Sequence, residues 1–168
     1  RPMITLTERA GGGLNAPLRD SILFLAIAAL ALWLPQGSMA QAGGGAVAAW
    51  PFDGDLADHS GHGNDAYAAA ARFVDGRDGQ ALDAAEVRAS VPDAPCLRLA
   101  PGLRIECWVR PDGQYFGTQC LAVKDREYML RVDPPGEGGR FSFFVYLDGN
   151  WEPRVQAATA PQVGQWYH

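Results

Sequence analysis

From residue 46 onward the chain alternates short apolar runs with clusters of turn-forming residues, and the spacing inside the runs is that of strands. Between positions 103 and 110, Leu103, Ile105, Cys107 and Val109 alternate with Arg104, Glu106, Trp108 and Arg110, the period-two pattern of a sheet with one buried face. Trp108 on the polar side implies that the second face is also partly covered. Residues 141–147, FSFFVYL, form the strongest strand candidate, and Asp148-Gly149-Asn150 turns it toward Trp151. Residues 121–123 and 128–132 flank the short charged segment 124–127 and predict a hairpin, followed by a Pro- and Gly-rich loop at 133–139. Residues 46–52 predict a first strand with Pro51 near its end, suited to an edge, and residues 86–91 a brief strand closed by Pro92 and Pro95. The alanines of residues 66–74 favour helix by propensity, but the segment between Gly/Asp clusters is too short for a helix that stands alone. Nothing from Asp53 to His168 carries a long 3.6-residue period.

The first 40 residues have a different pattern. Residues 21–34 are an uncharged apolar block of 14 residues, preceded by Arg9 and Arg19 and followed by Pro35, Gly37, Ser38 and Ala40. That order matches a secretory signal peptide cleaved before Gln41, with Ala40 and Ala42 offering a second register. The block is shorter than the roughly 17 to 25 residues of a spanning helix. A retained anchor remains the alternative. The expected organisation is a signal segment over 1–40, a flexible spacer over 41–46, and one domain over 47–168. Heading an unpaired strand with Trp166 and Tyr167 leaves a sandwich without its remaining strands, so this domain is expected to be C-terminally incomplete.

Composition adjusts this picture in two places. A chain of 168 residues with 48% hydrophobic and 20% charged residues suffices for one core. Its 20 glycines and 12 prolines, with Lys124 as the single lysine, favour turns and strands over long surface helices. Loss of residues 1–40 removes three arginines, one glutamate and one aspartate and takes the formal charge from −5 to −6. An acidic surface without a basic stripe excludes nucleic acid as the expected partner. Cys96, Cys107 and Cys120 match neither a redox CxxC pair nor a zinc motif. Pairing of 105–109 with 119–123 in a hairpin would bring Cys107 and Cys120 within bridging reach; buried free thiols are the other reading.

Trp50-Pro51-Phe52-Asp53-Gly54, Asp58-His59-Ser60-Gly61-His62-Gly63-Asn64-Asp65 and Gly76-Arg77-Asp78-Gly79-Gln80-Ala81-Leu82 resemble the opening of the laminin-G-like, concanavalin A-like lectin domain family. Ile105-Glu106-Cys107-Trp108-Val109-Arg110-Pro111 and Gln165-Trp166-Tyr167-His168 continue the likeness in the same order. The resemblance implies an all-β fold, an antiparallel two-sheet jelly-roll sandwich, and assigns residues 66–74 to a strand. It also implies noncatalytic recognition outside the cytoplasm, and a calcium ion near the Asp-rich loop.

The residues themselves offer three kinds of chemistry. Asp53, Asp58, Asn64 and Asp65, with Asp55, crowd hard oxygen donors into a Gly-rich loop, which suits calcium; the same residue types also cap turns through their own backbone, and both readings stand. His59 and His62 lack the further ligands of a zinc site. Tyr115, Phe116, Tyr146 and Trp151, beside polar loops, are candidates to stack on sugar rings, whereas Trp50, Trp108 and Trp166 are expected to fill the core. Catalysis is not expected: there is no E-x-D-x-x-E run, G-x-S-x-G, H-E-x-x-H or phosphate loop. The expected function is a secreted or envelope-exposed recognition module for a glycan or an extracellular protein surface, possible calcium included, with an accessory domain of a larger secreted enzyme or a structural adhesion unit as alternatives.

Overall fold

The computed structural model describes residues 4–7, 45–98 and 102–168. Among them the chain is all-β and every strand pair is antiparallel, with helical structure limited to two short 3-10 turns, Pro95–Leu97 and Pro135–Glu137. Among the described residues three sheets form, and none closes into a barrel. The first has the order β2 (Ala46–Trp50), β1 (Ile4–Thr7), β5 (Arg104–Glu106). The second is the hairpin β3 (Phe73–Asp75) and β4 (Gln80–Leu82). The third is a meander of β6 (Gln119–Lys124), β7 (Tyr128–Val132), β8 (Phe141–Leu147) and β9 (Asn150–Gln156). Among the described residues no helix is long and apolar enough to cross a membrane.

The meander follows directly from its sequence. Strand β8 coincides with the predicted residues 141–147, and Asp148 and Gly149 both take positive φ, 50° and 85°, as a two-residue turn matched to strand twist requires. Leu147 pairs with Asn150 across that turn, so Asn150 belongs to β9 rather than to the turn. The predicted hairpin at 121–132 forms as β6 and β7, with Arg126 at φ 54° in the connection.

Elsewhere the strands are shorter than expected. Of residues 66–74, only Phe73 and Val74 enter a strand, and Tyr67 makes an isolated bridge to Ser90 that is also the whole of the strand expected at 86–91. The exposed alanines between them give neither a helix nor a ladder anything to bury. Strand β5 ends at Glu106, and pairing resumes only at the bridge between Val109 and Tyr167.

The core gathers around β2. Val47, Ala48 and Trp50 pack with Leu97, and Phe52, Ala66, Val91, Ala94, Cys96, Leu103 and Ile105 close over them. The Tyr128 hydroxyl donates to the Leu97 carbonyl at 2.8 Å and ties β7 to this core, and the rings of Phe141 and Tyr167 meet at 5.6 Å. The expected apolar block at 21–34 and most of the spacer lie outside the described residues. Ile4–Thr7, within the expected signal segment, forms β1, the middle strand of the first sheet.

Candidate functional site

The Asp-rich loop is built to hold backbone. Asp58 Oδ1 accepts from the amides of Ala49 and Ser60, both at 2.9 Å, and Oδ2 accepts from the Ser60 hydroxyl at 2.7 Å and the Asn64 amide at 2.9 Å. Burial pushes this carboxyl up, but the hydrogen bonds from Ser60, Ala49 and Asn64 outweigh it and hold Asp58 below the usual carboxylate range. Asp65 Oδ1 accepts from the Asp58 amide at 2.8 Å. The Asn64 side chain is buried and donates to the Val47 carbonyl at 2.8 Å, while the Asn64 main-chain carbonyl accepts from the Trp50 indole N–H at 2.8 Å. Asp53 Oδ1 accepts from the Gln80 amide at 2.8 Å.

The four predicted calcium ligands therefore face four different tasks. A carboxylate has about four lone-pair positions, and those of Asp58 are taken by N–H and O–H donors. Among the described residues no three His, Cys, Asp or Glu side chains converge as a metal-holding group. His59 lies 3.9 Å from Asp55, both well exposed.

The predicted sugar-stacking aromatics are split. Tyr146 and Trp151 are cross-strand partners beside the β8–β9 turn, with ring centroids 5.1 Å apart at 63°. Tyr115 donates its hydroxyl to the Gly139 carbonyl at 2.9 Å, in the loop at the opposite end of β8, about 17 Å away along a five-residue stretch of strand. Phe116 follows it in the chain and is 90% exposed. No single surface collects all four.

The three cysteines are free. Strands β5 and β6 lie in different sheets, so the expected hairpin that would bring Cys107 to Cys120 does not form. Cys107 is buried, which pushes its thiol up to about 11; Cys120 is exposed; Cys96 accepts from the Asn64 side-chain amide at 3.4 Å.

A different surface brings chemistry together. Val109 and Tyr167 exchange both backbone hydrogen bonds, at 2.9 and 2.8 Å. Side chains alternate across a strand, so the neighbouring positions Trp108 and His168, and Arg110 and Trp166, lie side by side on the other face. The Trp108 and His168 rings are 4.8 Å apart at 32°. The Arg77 guanidinium lies 3.5 Å over the Trp108 ring, and that of Arg110 lies 5.1 Å from the Trp166 ring. Glu106 extends the strip: it pairs with Arg104 and lies 4.0 Å from His168. Asp112 hydrogen-bonds Arg110 at 2.7 Å and raises its affinity for its proton.

Arg77 reaches Trp108 through the β3–β4 hairpin, whose tip it occupies. Phe52 sits at φ 56°, a conformation bulky residues rarely adopt, at the point where the chain leaves β2. The next residue, Asp53, holds the Gln80 amide at the base of that tip. Gly79 has φ 78°, and a Cβ there would stand 2.6 Å from Asp53 Oδ1, so glycine is required for the contact.

Of the three tryptophans expected in the core, Trp50 is buried, with 6% exposure, whereas Trp108 and Trp166 are half-buried on the strip. The signal was the alternation itself, which puts Trp108 on the face of Arg104, Glu106 and Arg110. No family model matches this chain, and no curated protein or solved structure matches it.

Proposed function

We propose that this chain is a noncatalytic recognition module of the laminin-G-like, concanavalin A-like kind, acting outside the cytoplasm and binding carbohydrate through the strip of Arg77, Trp108, Arg110, Trp166 and His168. The observation that carries the reading is the pair of half-buried indoles on adjacent chain segments, each with a guanidinium beside it. Indoles supply apolar contact for the C–H faces and edges of sugar rings, and guanidinium N–H groups and the Glu106 carboxylate supply donors and acceptors for hydroxyls. Aromatic and arginine side chains lose little on being ordered when they already brace one another, so the strip is organised before a ligand arrives. The all-β antiparallel architecture is compatible with a jelly-roll sandwich, and the apolar block at 21–34 followed by small residues supports export.

A glycan array probed with the full chain tests the reading. Binding to a defined set of glycans is expected, weakened about tenfold or more by Trp108→Ala or Trp166→Ala. Absence of binding to any glycan overturns it.

A further inference from the structure

Asp53 belongs to the Asp-rich loop by sequence and to the strip by position. It follows Phe52, which packs against the core of Val47, Ala48, Trp50 and Leu97 while its backbone sits at φ 56°. A side chain anchored in the core on a left-handed backbone turns the chain sharply out of β2. The next side chain, Asp53, meets the β3–β4 hairpin.

At that hairpin the Gly76 amide donates to the Gly79 carbonyl at 2.8 Å, which leaves Arg77 and Asp78 as the two corner residues. Asp75 and Gln80 pair just below them. Residue pairs that exchange ladder bonds alternate with pairs that do not, so the Gln80 amide faces away from β3 and can bond outside the hairpin. Asp53 Oδ1 accepts it at 2.8 Å. The carboxylate lies flat against the corner: a Cβ on Gly79 would stand 2.6 Å from Oδ1 and 3.1 Å from both Cγ and Oδ2. The main chain beside it is as close, since a Cβ on Gly54 would stand 2.9 Å from the Gln80 side-chain oxygen.

This clasp fastens the corner from which both halves of the strip are approached. Arg77 is exposed, and its guanidinium lies 3.5 Å over the Trp108 ring. On the first leg of the hairpin, Asp75 adds weakly to the hold that Asp112 chiefly exerts on the Arg110 proton. Ordering an arginine costs rotamer freedom, and that cost falls on the ligand unless the fold has already fixed the side chain.

We infer that Asp53 is a positioning residue of the strip, whose carboxylate clasps the backbone at Gly79 and Gln80 and thereby sets Arg77 over Trp108 before a ligand arrives. This role presupposes the strip as the ligand site. The clasp uses one oxygen acceptor, so asparagine at this position serves as well as aspartate.

Two readouts on the full chain test the role, and the first needs no ligand. Protons held over an indole face resonate upfield, so the Arg77 side-chain signals that lose their shift in Trp108→Ala mark the stacked guanidinium. Asp53→Ala is expected to abolish that shift while β7 and β8 keep their amide-exchange protection, and Asp53→Asn is expected to retain it. A shift that is missing from the unaltered chain, survives Asp53→Ala, or is lost in Asp53→Asn overturns the assignment. Should Asp53→Ala unfold the chain, Asp53→Glu takes its place: it keeps the charge, drives the carboxylate one methylene further against Gly79, and is expected to lose the shift, with retention counting against the clasp. The second readout is affinity for a glycan found on the array. Asp53→Ala is expected to weaken binding about tenfold, as Arg77→Ala does, and the double variant to bind no more weakly than Arg77→Ala alone. Additive losses contradict the positioning role and leave the strip as the site. Absence of binding to any glycan contradicts the strip as the site, and the ligand-free shift still decides the role of Asp53.

Discussion

Two aspartates, Asp58 and Asp133, each organise a region of this molecule, and they do so by opposite means. Asp58 is held by three amides and a hydroxyl from residues no more than nine positions away, all neutral donors of β2 and the loop that follows it. Asp133 is fully buried and is held by charged and polar side chains from three strands: Arg131 at 2.8 Å, Arg154 at 2.7 Å, Gln156 at 2.8 Å and the Ser142 hydroxyl. Glu137 closes the group, 2.7 Å from Arg131 and 3.5 Å from Arg154, and both guanidinium groups lie over the Phe144 ring. The first arrangement pins an edge strand with local turn geometry. The second is a long-range network that fixes the register of β7, β8 and β9, and a neutral donor set would not have needed two arginines to keep a buried carboxylate charged.

Removing the acid from each region separates the two. Asp133→Ala leaves Arg131 and Arg154 charged, largely out of water and without their buried partner, and is expected to destabilise by about 3 to 5 kcal/mol, read as a drop in the urea midpoint. Asp58→Ala strips partners from the amides of Ala49, Ser60 and Asn64 without orphaning a charge and is expected to cost about 2 kcal/mol. Its loss of amide-exchange protection should concentrate at β2, whereas that of Asp133→Ala should spread over the meander. Equal costs with identical exchange maps contradict the distinction.

Protonation should act in the same order. Burial raises both carboxyls, but hydrogen bonds from Ser142, Gln156 and Arg131 together with the Arg154 charge hold Asp133 below the usual range, as the loop amides do Asp58. A depressed folded-state pKa contributes stability that is in place above the ordinary carboxylate value, near pH 4, and is lost as pH falls through the folded value. Acid unfolding is therefore expected below about pH 4, with a shallower limb in Asp133→Asn.

Between these regions lies the hairpin that carries Arg77. Gly79→Ala places a methyl against Asp53 at φ 78° and is expected to cost about 1 to 2 kcal/mol while reducing glycan binding through displacement of Arg77. Tyr128→Phe, which loses only the hydrogen bond to Leu97, should cost about 1 kcal/mol at neutral pH. Burial raises the Tyr128 phenol to about 12. Its stabilisation is therefore complete below the ordinary tyrosine value and fades as pH climbs toward 12, and the Phe variant should lack that alkaline loss.

Legibility in the sequence tracks the range of the interactions. The β8 strand and the β6–β7 hairpin were readable because their pattern and turn residues are contiguous. Asp58, Asn64 and Asp65 were readable as turn residues, since their partners lie within the loop and the strand that precedes it, and the same oxygen-rich composition also reads as calcium. The Asp133 network was not readable: Ser142, Arg154 and Gln156 meet it only through strand register, from 9, 21 and 23 positions away. The strip was half readable. Alternation put Trp108 with Arg104, Glu106 and Arg110, but Arg77 and Trp166 arrive from a hairpin tip and from the far end of the chain, and bulk alone suggested burial for both tryptophans. Strand β1 was invisible because residues 4–7 precede an apolar block that dominates any local reading.

The most direct measurement is a calorimetric titration of the full chain with a glycan found on the array, compared across Trp108→Ala and Trp151→Ala. Binding weakened about tenfold or more in Trp108→Ala and unchanged in Trp151→Ala is the result expected if the strip holds the sugar. Binding lost in Trp151→Ala and intact in Trp108→Ala would move the site to the β8–β9 turn and contradict the assignment.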